Sequence, residues 1–310
     1  MKILILGAGA IGGYYGARLI QAGADVTFLV RPQRASLLAS HGLVVHSELG
    51  NFHAPVRTVT QDAVQADYDV IIVTCKGYDL EQAMDAIAPA VGQTTAILPF
   101  LNGLDAYDRL DERFGKDRVL GGVAYIATML AENGAIRHLG ANDVVITGAR
   151  TPLLHDQAQA VHALLAASPG ARTFSNNITQ ALWDKWVMIA AGALMTCLMR
   201  GTVADILAAP GGRSLMQRAI AECRGVATAE GFDLSPETVQ RMEKLLLDEQ
   251  STWAASMMRD ITQDIARLES DDILGNMANR AEKHGLDVPL LRAAYCQLQV
   301  YQAQKQHNTG

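Results

Sequence analysis

The stretch KILILGAGAIGGYYGARLI, residues 2–20, decides the fold of this protein. Its apolar run ends at Leu6, as a buried strand does, and a helical pattern begins near Ile11. Three glycines have separate purposes: Gly7 permits a tight turn, Gly9 lets the backbone approach a pyrophosphate, and Gly12 allows close helix–strand packing. The amides at the helix start attract phosphate. The segment predicts a dinucleotide-binding turn, with contacts from Gly7, Ala8, Gly9, Ala10, Ile11 and Gly12.

Strand-like runs alternate with helical segments through the first half of the chain. After the first strand come DVTFLV, DVIIVT and AILPF, and further short strands are predicted within RVLGGVAYIA, GAIRHLG and DVVITG. This alternation is typical of βαβ units around a parallel sheet. We therefore predict an α/β fold that begins with a Rossmann-type dinucleotide-binding domain.

The second half of the chain has a different pattern, because strand-like runs disappear after Asn177. Asn177 and Gln180 resemble a capping box, and Gly201 is suited to end the helix that starts there. Further helices are predicted at 212–231, 235–249, 253–266, 273–284 and 289–305. Because Pro169 and Gly170 interrupt both periods, we predict a dinucleotide-binding domain over residues 1–170. An all-helical substrate and catalytic domain follows over residues 171–310.

The composition describes a globular protein with ample material for packed cores: 310 residues, 49% of them hydrophobic, and a net charge of −6. That charge argues against a general affinity for nucleic acid or anionic lipid. The four cysteines are far apart, as in reduced cytosolic proteins, and the eight histidines show no metal-ligand spacing. The apolar run from Trp186 to Met199 is shorter than the roughly 20 residues that a bilayer requires. We therefore expect a cytoplasmic protein without membrane, nucleic-acid or metal partners.

The residue that follows the second strand indicates which dinucleotide is bound. NAD-binding domains carry an acid near this position for the ribose hydroxyls, whereas this chain has Arg31. An arginine matches the 2′-phosphate of NADP, and Arg34 is close enough in sequence to assist. The alternative for Arg31 is an ordinary solvated loop residue. Its position favours NADPH over NADH as the cofactor.

Two loops follow the next two strands of the predicted sheet: TCKGYD with Lys76, and LPFLNG with Asn102. Ligands of open α/β sheets bind at the carboxyl ends of the strands. Lys76 and Asn102 are therefore expected to point toward cofactor and substrate. Each also suits an ordinary polar loop, and Asn102–Gly103 suits a turn.

The stretch LWDKWVMIAAGALMTCLMR, residues 182–200, places Lys185 at the edge of a long uncharged run. In one interpretation the lysine snorkels, with its stem on apolar surface and its amine in water. In the other, the amine faces a pocket and delivers charge or a proton to a substrate. The helix alone favours the first interpretation.

These motifs, taken in order, resemble the ketopantoate reductases (2-dehydropantoate 2-reductases). The matching positions are GAGAIG at 7–12, Arg31, Lys76, Asn102–Gly103, Lys185, Ser256 in ASMMRD, Glu269 in RLESDDILG, and HGLDVP at 284–289. The resemblance covers nearly the whole chain. It implies NADPH-dependent reduction of a 2-keto acid, 2-dehydropantoate, to pantoate in pantothenate biosynthesis. It also implies an active site between a Rossmann domain and a helical domain.

The resemblance further implies a role for each matching residue. Lys185 is the general acid that polarises the carbonyl group, and Glu269 positions that lysine and approaches the cofactor. Asn102 contacts cofactor and substrate, Ser256 binds the substrate carboxylate, and Lys76 lies beside the cofactor. A cation aimed at a carbonyl oxygen stabilises the charge that forms there and supplies the proton. Without the resemblance, Glu269 is simply a solvated acid near a helix start.

The chain departs from the family along the helix of Lys185. Family members usually carry asparagines four and eight residues after the lysine, where this chain has Ile189 and Ala193. Hydrocarbon therefore replaces hydrogen-bonding groups on that helix face. Arg200, at the end of the same helix, either recruits a carboxylate or simply suits a helix C-terminus.

Two alternative functions follow from this departure. The first is reduction of a more apolar 2-keto acid or a related carbonyl compound. The second is a regulator that senses NADPH without turnover. A small-molecule 2-keto acid is the expected partner, and a homodimer is a compatible assembly.

Overall fold

The computed structural model describes residues 1–308, and the chain forms two compact units. The first unit contains Met1–Leu101 and Ala106–Ala181, and the second contains Asn102–Asp105 and the chain from Leu182 onward. These units are defined by packing alone. The functional division into residues 1–170 and residues 171–310 stays a prediction.

A parallel sheet in the first unit carries the N-terminal glycine turn. Its central strand pairs with the second strand on one side and with the DVIIV strand on the other, both parallel. The strands of the chain are β1 (Lys2–Leu6), β2 (Asp25–Leu29), β3 (Leu43–His46), β4 (Phe52–Ala54), β5 (Arg57–Val59), β6 (Val70–Val73), β7 (Ala96–Pro99), β8 (Gly121–Leu130), β9 (Ile136–Gly148) and β10 (Ala171–Phe174). The full sheet has the order β5-β2-β1-β6-β7.

The apolar character of the central strands follows from their place in this sheet. All four residues of β6 and all four residues of β7 are buried. A parallel sheet is covered on both faces, so its inner strands read as continuous apolar runs. The predicted βαβ arrangement is therefore present.

A second sheet completes the first unit, with the order β10-β9-β3-β4 and β8 paired to β9. Two strands that the sequence separates, within GAIRHLG and DVVITG, form the single strand β9. The antiparallel pairing with β8 crosses a register shift between Ile126 and Thr128. The short strands β3, β4, β5 and β10 were not predicted, because they have three or four residues each and depend on distant partners.

The regular structure of the second unit is helical over the described residues. The helices of the whole chain are α1 (Ala10–Gln21), α2 (Pro32–His41), α3 (Leu80–Ile87), α4 (Asp105–Phe114), α5 (His155–Ala166), α6 (Ile178–Met199), α7 (Val203–Ala208), α8 (Gly212–Ala229), α9 (Pro236–Leu246), α10 (Ser256–Thr262), α11 (Asn276–Lys283) and α12 (Pro289–Asn308). The predicted fold class, a Rossmann-type domain followed by a helical domain, is confirmed.

Several predicted helices differ from the observed ones. The helix predicted at 253–266 is the shorter α10, and the one predicted at 273–284 begins as a π-helix over Asp271–Gly275 before α11. Helices α2, α4, α5 and α7 were missed. The largely polar α4 shows why: only three of its residues, Ala106, Tyr107 and Leu110, are buried.

Helix α6 contains the uncharged run that follows Lys185. The Asn177 side chain accepts from the backbone N–H of Gln180 at 3.3 Å, as a helix cap does. At the other end Arg200, and not Gly201, takes the left-handed conformation, with φ of 58°. Among the described residues α6 alone is long and apolar enough to span a membrane, and 67% of its apolar window is buried inside the structure. A core helix has the same properties.

A buried ion pair between β9 and β10 also receives two hydrogen bonds from α1 in the first unit. Arg172 donates to both carboxylate oxygens of Asp143, at 2.9 and 2.6 Å, and the side chain of Asp143 is fully buried. Tyr14 and Tyr15 also donate to this carboxylate, at 2.9 and 3.1 Å. Burial, and then Asp143, raises the pKa of Tyr15 well above its ordinary value, so this hydroxyl stays protonated. Four donors thus offset the desolvation of one carboxylate.

Asp143→Ala should lower the free energy of unfolding by about 3–5 kcal/mol, because Arg172 is left as a buried charge without its partner. Denaturant unfolding followed by circular dichroism measures this change. The matched control is Asp67→Ala, which removes the exposed ion pair with Lys2 and should change stability little. Equal effects of the two substitutions contradict the prediction.

Candidate active site

The glycine turn has the geometry that a bound pyrophosphate requires. Gly7 adopts φ of +88°, and α1 begins at Ala10 with Gly9 as its N-cap. A side chain at Gly12 has no room, because its Cβ would lie 2.3 Å from the Gly7 carbonyl oxygen and 2.5 Å from Thr74 Oγ1. The backbone of the turn is therefore open toward a ligand and closed toward the sheet.

A cavity of about 1090 Å³ in the first unit begins at this turn. Its size is at the upper end of small-molecule sites and suits an extended ligand. The lining residues come from the ends of β1, β2, β5 and β6, from α3 and from the β8 end: Leu6, Gly7, Ala8, Gly9, Leu29, Val30, Arg31, Pro32, Arg34, Thr60, Gln61, Asp62, Thr74, Cys75, Asp79, Gln82, Ala83, Ala86, Pro89 and Leu130.

Part of this lining was not found from the sequence. Thr60–Asp62 follow β5, which was not predicted as a strand, so no ligand-binding edge was expected there. The α3 residues and Leu130 lie on regular elements and carry no motif. Thr60 directly follows β5, the strand that pairs with β2. Recognising β5 as a strand is the one signal that could have placed Thr60 at the cavity.

The two arginines after β2 have different surroundings. Arg31 is exposed at the N-terminus of α2 and lines the cavity. Arg34 donates from Nε and Nη2 to the Ala8 carbonyl oxygen, at 3.2 and 2.8 Å, and from Nη2 to the Gly134 carbonyl oxygen at 3.1 Å. Arg34 therefore supports the glycine turn directly and ties it to the turn between β8 and β9.

Lys76 occupies the loop after β6, as the sequence indicated. The lysine is exposed and precedes a short 3₁₀ turn, Gly77–Asp79. Cys75 before it and Asp79 after it line the cavity. The predicted cofactor contact of Lys76 stays a prediction.

Lys185 in the second unit lies in a partly buried polar site. Its Nζ donates to Asn102 Oδ1 at 2.9 Å. Burial lowers the pKa of Lys185 to about 8, and the Glu269 carboxylate, which is 4% exposed, partly offsets this by raising it. Asn102 and Glu269, which lie far from Lys185 in the sequence, thus both act on its amine.

Close backbone packing positions Asn102. Gly103 adopts φ of +80°, and a Cβ there would lie 2.4 Å from the Asp272 carbonyl oxygen. Asn276 donates to Asp105 Oδ1 at 3.2 Å at the end of the same segment. The Asn102–Asp105 segment is therefore held against the π-helix and the start of α11.

The remaining predicted substrate residue, Ser256, is half-buried and begins α10. The preceding residue, Ala255, donates its backbone N–H to Thr196 Oγ1 at 3.3 Å, which attaches the start of α10 to α6. Along α6, Ile189 is half-buried and Ala193 is 1% exposed. The role of Ser256 stays a prediction.

The Rossmann-type sheet and its glycine turn are those of a dinucleotide-binding protein, and comparisons with known proteins give the family. Residues 3–150 match the family Ketopantoate reductase PanE/ApbA, and residues 177–302 match Ketopantoate reductase PanE/ApbA C terminal. The chain belongs to the ketopantoate reductase family and is an NADP-dependent oxidoreductase.

Similar proteins cover nearly the whole chain. The uncharacterized oxidoreductase YkpB of Bacillus subtilis is 34% identical over 308 residues, which cover 98% of this chain and 100% of the relative. The 2-dehydropantoate 2-reductase of Halobacterium salinarum is 27% identical, with 94% of this chain and 96% of the relative covered. Among solved structures, the ketopantoate reductase of Ralstonia eutropha has a TM-score of 0.88 at 26% identity, with coverage of 99% and 100%. A D-mandelate dehydrogenase with NADH and anilino(oxo)acetate shares the fold, with a TM-score of 0.88 at 21% identity and 99% of each chain covered.

Arg31→Ala and Arg34→Ala should weaken dinucleotide binding in different ways. Loss of Arg31 removes the expected partner of the 2′-phosphate, so the Kd for NADPH should rise about 10-fold or more while that for NADH changes little. Loss of Arg34 loosens the turn that both dinucleotides use, so both Kd values should rise by similar factors. Fluorescence titration measures them, with the exposed Arg137→Ala as control. Equal losses of NADPH and NADH affinity in Arg31→Ala contradict the phosphate assignment.

Proposed function

We propose that the protein reduces a 2-keto acid to a 2-hydroxy acid with NADPH, and that Lys185 donates the proton. The environment of the Lys185 amine supports this above all. The amine is hydrogen-bonded to Asn102, the charge of Glu269 acts on it, and burial lowers its pKa to about 8. A lysine that only snorkels keeps its amine in water and an ordinary pKa. The surroundings of Lys185 therefore favour a chemical role.

Most of the cofactor's binding residues, in this proposal, lie within residues 1–170, and Glu269 is a further cofactor contact. The turn from Gly7 to Gly12 presents backbone amides to the pyrophosphate, and the close packing at Gly12 supports that assignment. Arg31 binds the 2′-phosphate, and Lys76 lies beside the cofactor. When bound, NADPH supplies the hydride. Residues 171–310, with Asn102, bind the substrate and carry out the proton transfer.

Lys185 holds a proton on Nζ and gives it to the carbonyl oxygen as negative charge develops there. A pKa of about 8 lies close to neutral pH, where such a group is still largely protonated and yet transfers its proton readily. Asn102 orients the amine, and Glu269 keeps the ammonium form populated. Ser256 binds the substrate carboxylate.

Two substrate classes remain for this reaction. 2-Dehydropantoate is the first candidate, because relatives with that activity match nearly the whole chain. A more apolar 2-keto acid is the second, because α6 has Ile189 and Ala193 after Lys185. The ring of Trp253 also packs on this helix, since a Cβ at Gly192 would lie 2.5 Å from it. Hydrocarbon on α6 favours an apolar side chain on the substrate.

We also propose that the enzyme works in the cytoplasm on small molecules. The four cysteines are free thiols, which suits a reducing compartment. A homodimer is a compatible assembly, since a related ketopantoate reductase from Staphylococcus aureus is dimeric, and light scattering on the purified protein measures the oligomeric state.

A panel of 2-keto acids with NADPH tests the proposed function. Single-turnover oxidation of NADPH should occur with 2-dehydropantoate, 4-methyl-2-oxopentanoate or phenylpyruvate, and the order of kcat/KM among them identifies the class. Tight NADPH binding without turnover of any carbonyl compound would instead favour a regulator that senses the dinucleotide.

Lys185→Ala should lower kcat by about 10²–10⁴-fold, because the proton donor is lost, while the Kd for NADPH changes little. In the unmodified enzyme kcat should fall as the pH rises through about 8, because the ammonium form of Lys185 loses its proton there. Stopped-flow kinetics over a pH series measures both effects. The exposed Lys244→Ala is the control. An unchanged kcat in Lys185→Ala returns this residue to the snorkelling interpretation.

Ile189→Asn should raise the kcat/KM ratio of 2-dehydropantoate to 4-methyl-2-oxopentanoate by about 10-fold, on the scale of one hydrogen bond. The new amide can bond a substrate hydroxyl, and it disfavours a hydrocarbon chain. Ile189→Val is the matched control, since it adds no polar group. A ratio that stays constant in Ile189→Asn excludes position 189 from substrate selection.

A further inference from the structure

Glu269 lies beside an irregular piece of backbone. It is two residues before the π-helix Asp271–Gly275, and its carbonyl oxygen accepts from the backbone N–H of Ile273 at 3.1 Å. Single π-turns inside helices frequently occur at functional sites. Because Glu269 itself lies in a bend and not in a regular helix or strand, contacts from another element help to fix its direction.

One side-chain amide of α12 supplies contacts on both sides of Glu269. Gln302 Oε1 accepts from the backbone N–H of Leu268 at 2.9 Å, and Gln302 Nε2 donates to Ser270 Oγ at 2.9 Å. Leu268 and Ser270 are the two neighbours of Glu269 in the chain, and both are buried. A single amide group thus bonds the backbone N–H before Glu269 and the side-chain hydroxyl of the residue after it.

The same face of α12 continues these contacts along the π-helix. Gln299 Nε2 donates to Ser270 Oγ at 3.2 Å and to Asp271 Oδ1 at 2.8 Å, and the Tyr295 hydroxyl donates to Asp271 Oδ1 at 2.7 Å. The ring of Tyr295 also packs on the backbone, since a Cβ at Gly275 would lie 2.9 Å from it. Positions 295, 299 and 302 share one helix face.

We propose that Gln302 is a positioning residue, which fixes the Glu269 carboxylate relative to the Lys185 amine. The inference rests on the proposed roles of Lys185 and Glu269. Gln302 acts through the Leu268 backbone N–H and the Ser270 hydroxyl, on either side of Glu269, and not on the reacting groups themselves. Because the interaction of two charges falls with distance, a looser Glu269 supports the ammonium less.

Other charged groups on these elements have partners of their own. Asp184, next to Lys185, accepts from the Thr238 hydroxyl at 3.2 Å, and Asp271 is held by Tyr295 and Gln299. Asp272 is buried beside Gly103 through its backbone. Glu269 is the charged group that acts on the pKa of Lys185.

The test is the pH dependence of kcat in Gln302→Met, which removes both amide contacts and keeps the side-chain length. The basic limb of the profile should move to lower pH by on the order of half a unit, the effect of a charge displaced by a few ångströms. The KM for NADPH should stay the same. The matched control is Gln304→Met, an identical change at an exposed position of the same helix.

Ser270→Ala is a second variant, which removes the hydroxyl that Gln302 and Gln299 share and fills nearly the same volume. It should move the limb in the same direction by a smaller amount, because the contact between Gln302 and Leu268 remains. This variant decides the matter if Gln302→Met does not fold.

Glu269→Gln separates the positioning role of Gln302 from the role of Glu269 itself. If Glu269→Gln moves the basic limb and neither Gln302→Met nor Ser270→Ala does, the positioning role of Gln302 is overturned and the proposed function stands. If Glu269→Gln itself leaves the limb in place, the role of Glu269 fails and that of Gln302 fails with it. Shifts in all three variants, with Gln304→Met unchanged, support the proposal.

Discussion

A partly buried ammonium group is expensive, and the second unit is organised around keeping one. Lys185 loses water on an apolar helix, which lowers its pKa, and Glu269 restores part of what burial removes. Asn102 Oδ1 also accepts a hydrogen bond from the Lys185 amine at 2.9 Å. None of these residues is close to another in the sequence, so the fold of the whole unit is required to assemble them. The balance between desolvation and charge sets the pKa of the amine at about 8.

The first unit also contains a buried charged group, whose hydrogen bonds contribute to stability. The fully buried carboxylate of Asp143 receives four donors, from Tyr14, Tyr15 and both terminal nitrogens of Arg172. These contacts attach α1, the helix that begins at the glycine turn, to β9 and β10. Arg34 provides a second attachment, from the turn itself to the loop after β8. Polar groups inside this unit therefore fix the backbone that is expected to receive the cofactor.

Elements determined by consecutive residues could be predicted from the sequence, whereas short strands stabilised by distant strands could not. The first strand, the glycine turn and α6 were predictable because apolar periodicity and turn residues are written in a few consecutive positions. Strands β3, β4 and β5 were not, since each has three or four residues and is stabilised by pairing with distant strands. The motif positions Lys185, Asn102 and Glu269 were found through the family resemblance, and their mutual contacts needed the fold.

Some contributions to the site leave no trace in the sequence. Arg34 looked like a second phosphate ligand, but its bonds go to two backbone carbonyl oxygens. Gln302 belongs to no motif, because a helical glutamine is ordinary until its amide is seen to span Leu268 and Ser270. Contacts of this kind, to backbone groups and to a distant hydroxyl, form only in the folded chain, so the residue types alone do not reveal them.

The contrast between Gly12 and Arg31 has a consequence for how proteins of this fold diverge. Any side chain at Gly12 strikes the carbonyl oxygen of Gly7, so this position allows no drift without loss of the turn. The Arg31 side chain is exposed, so exchanging it should cost the fold little. In the role proposed for Arg31, nucleotide preference can therefore diverge at an exposed side chain, while the tight packing at Gly12 constrains the turn.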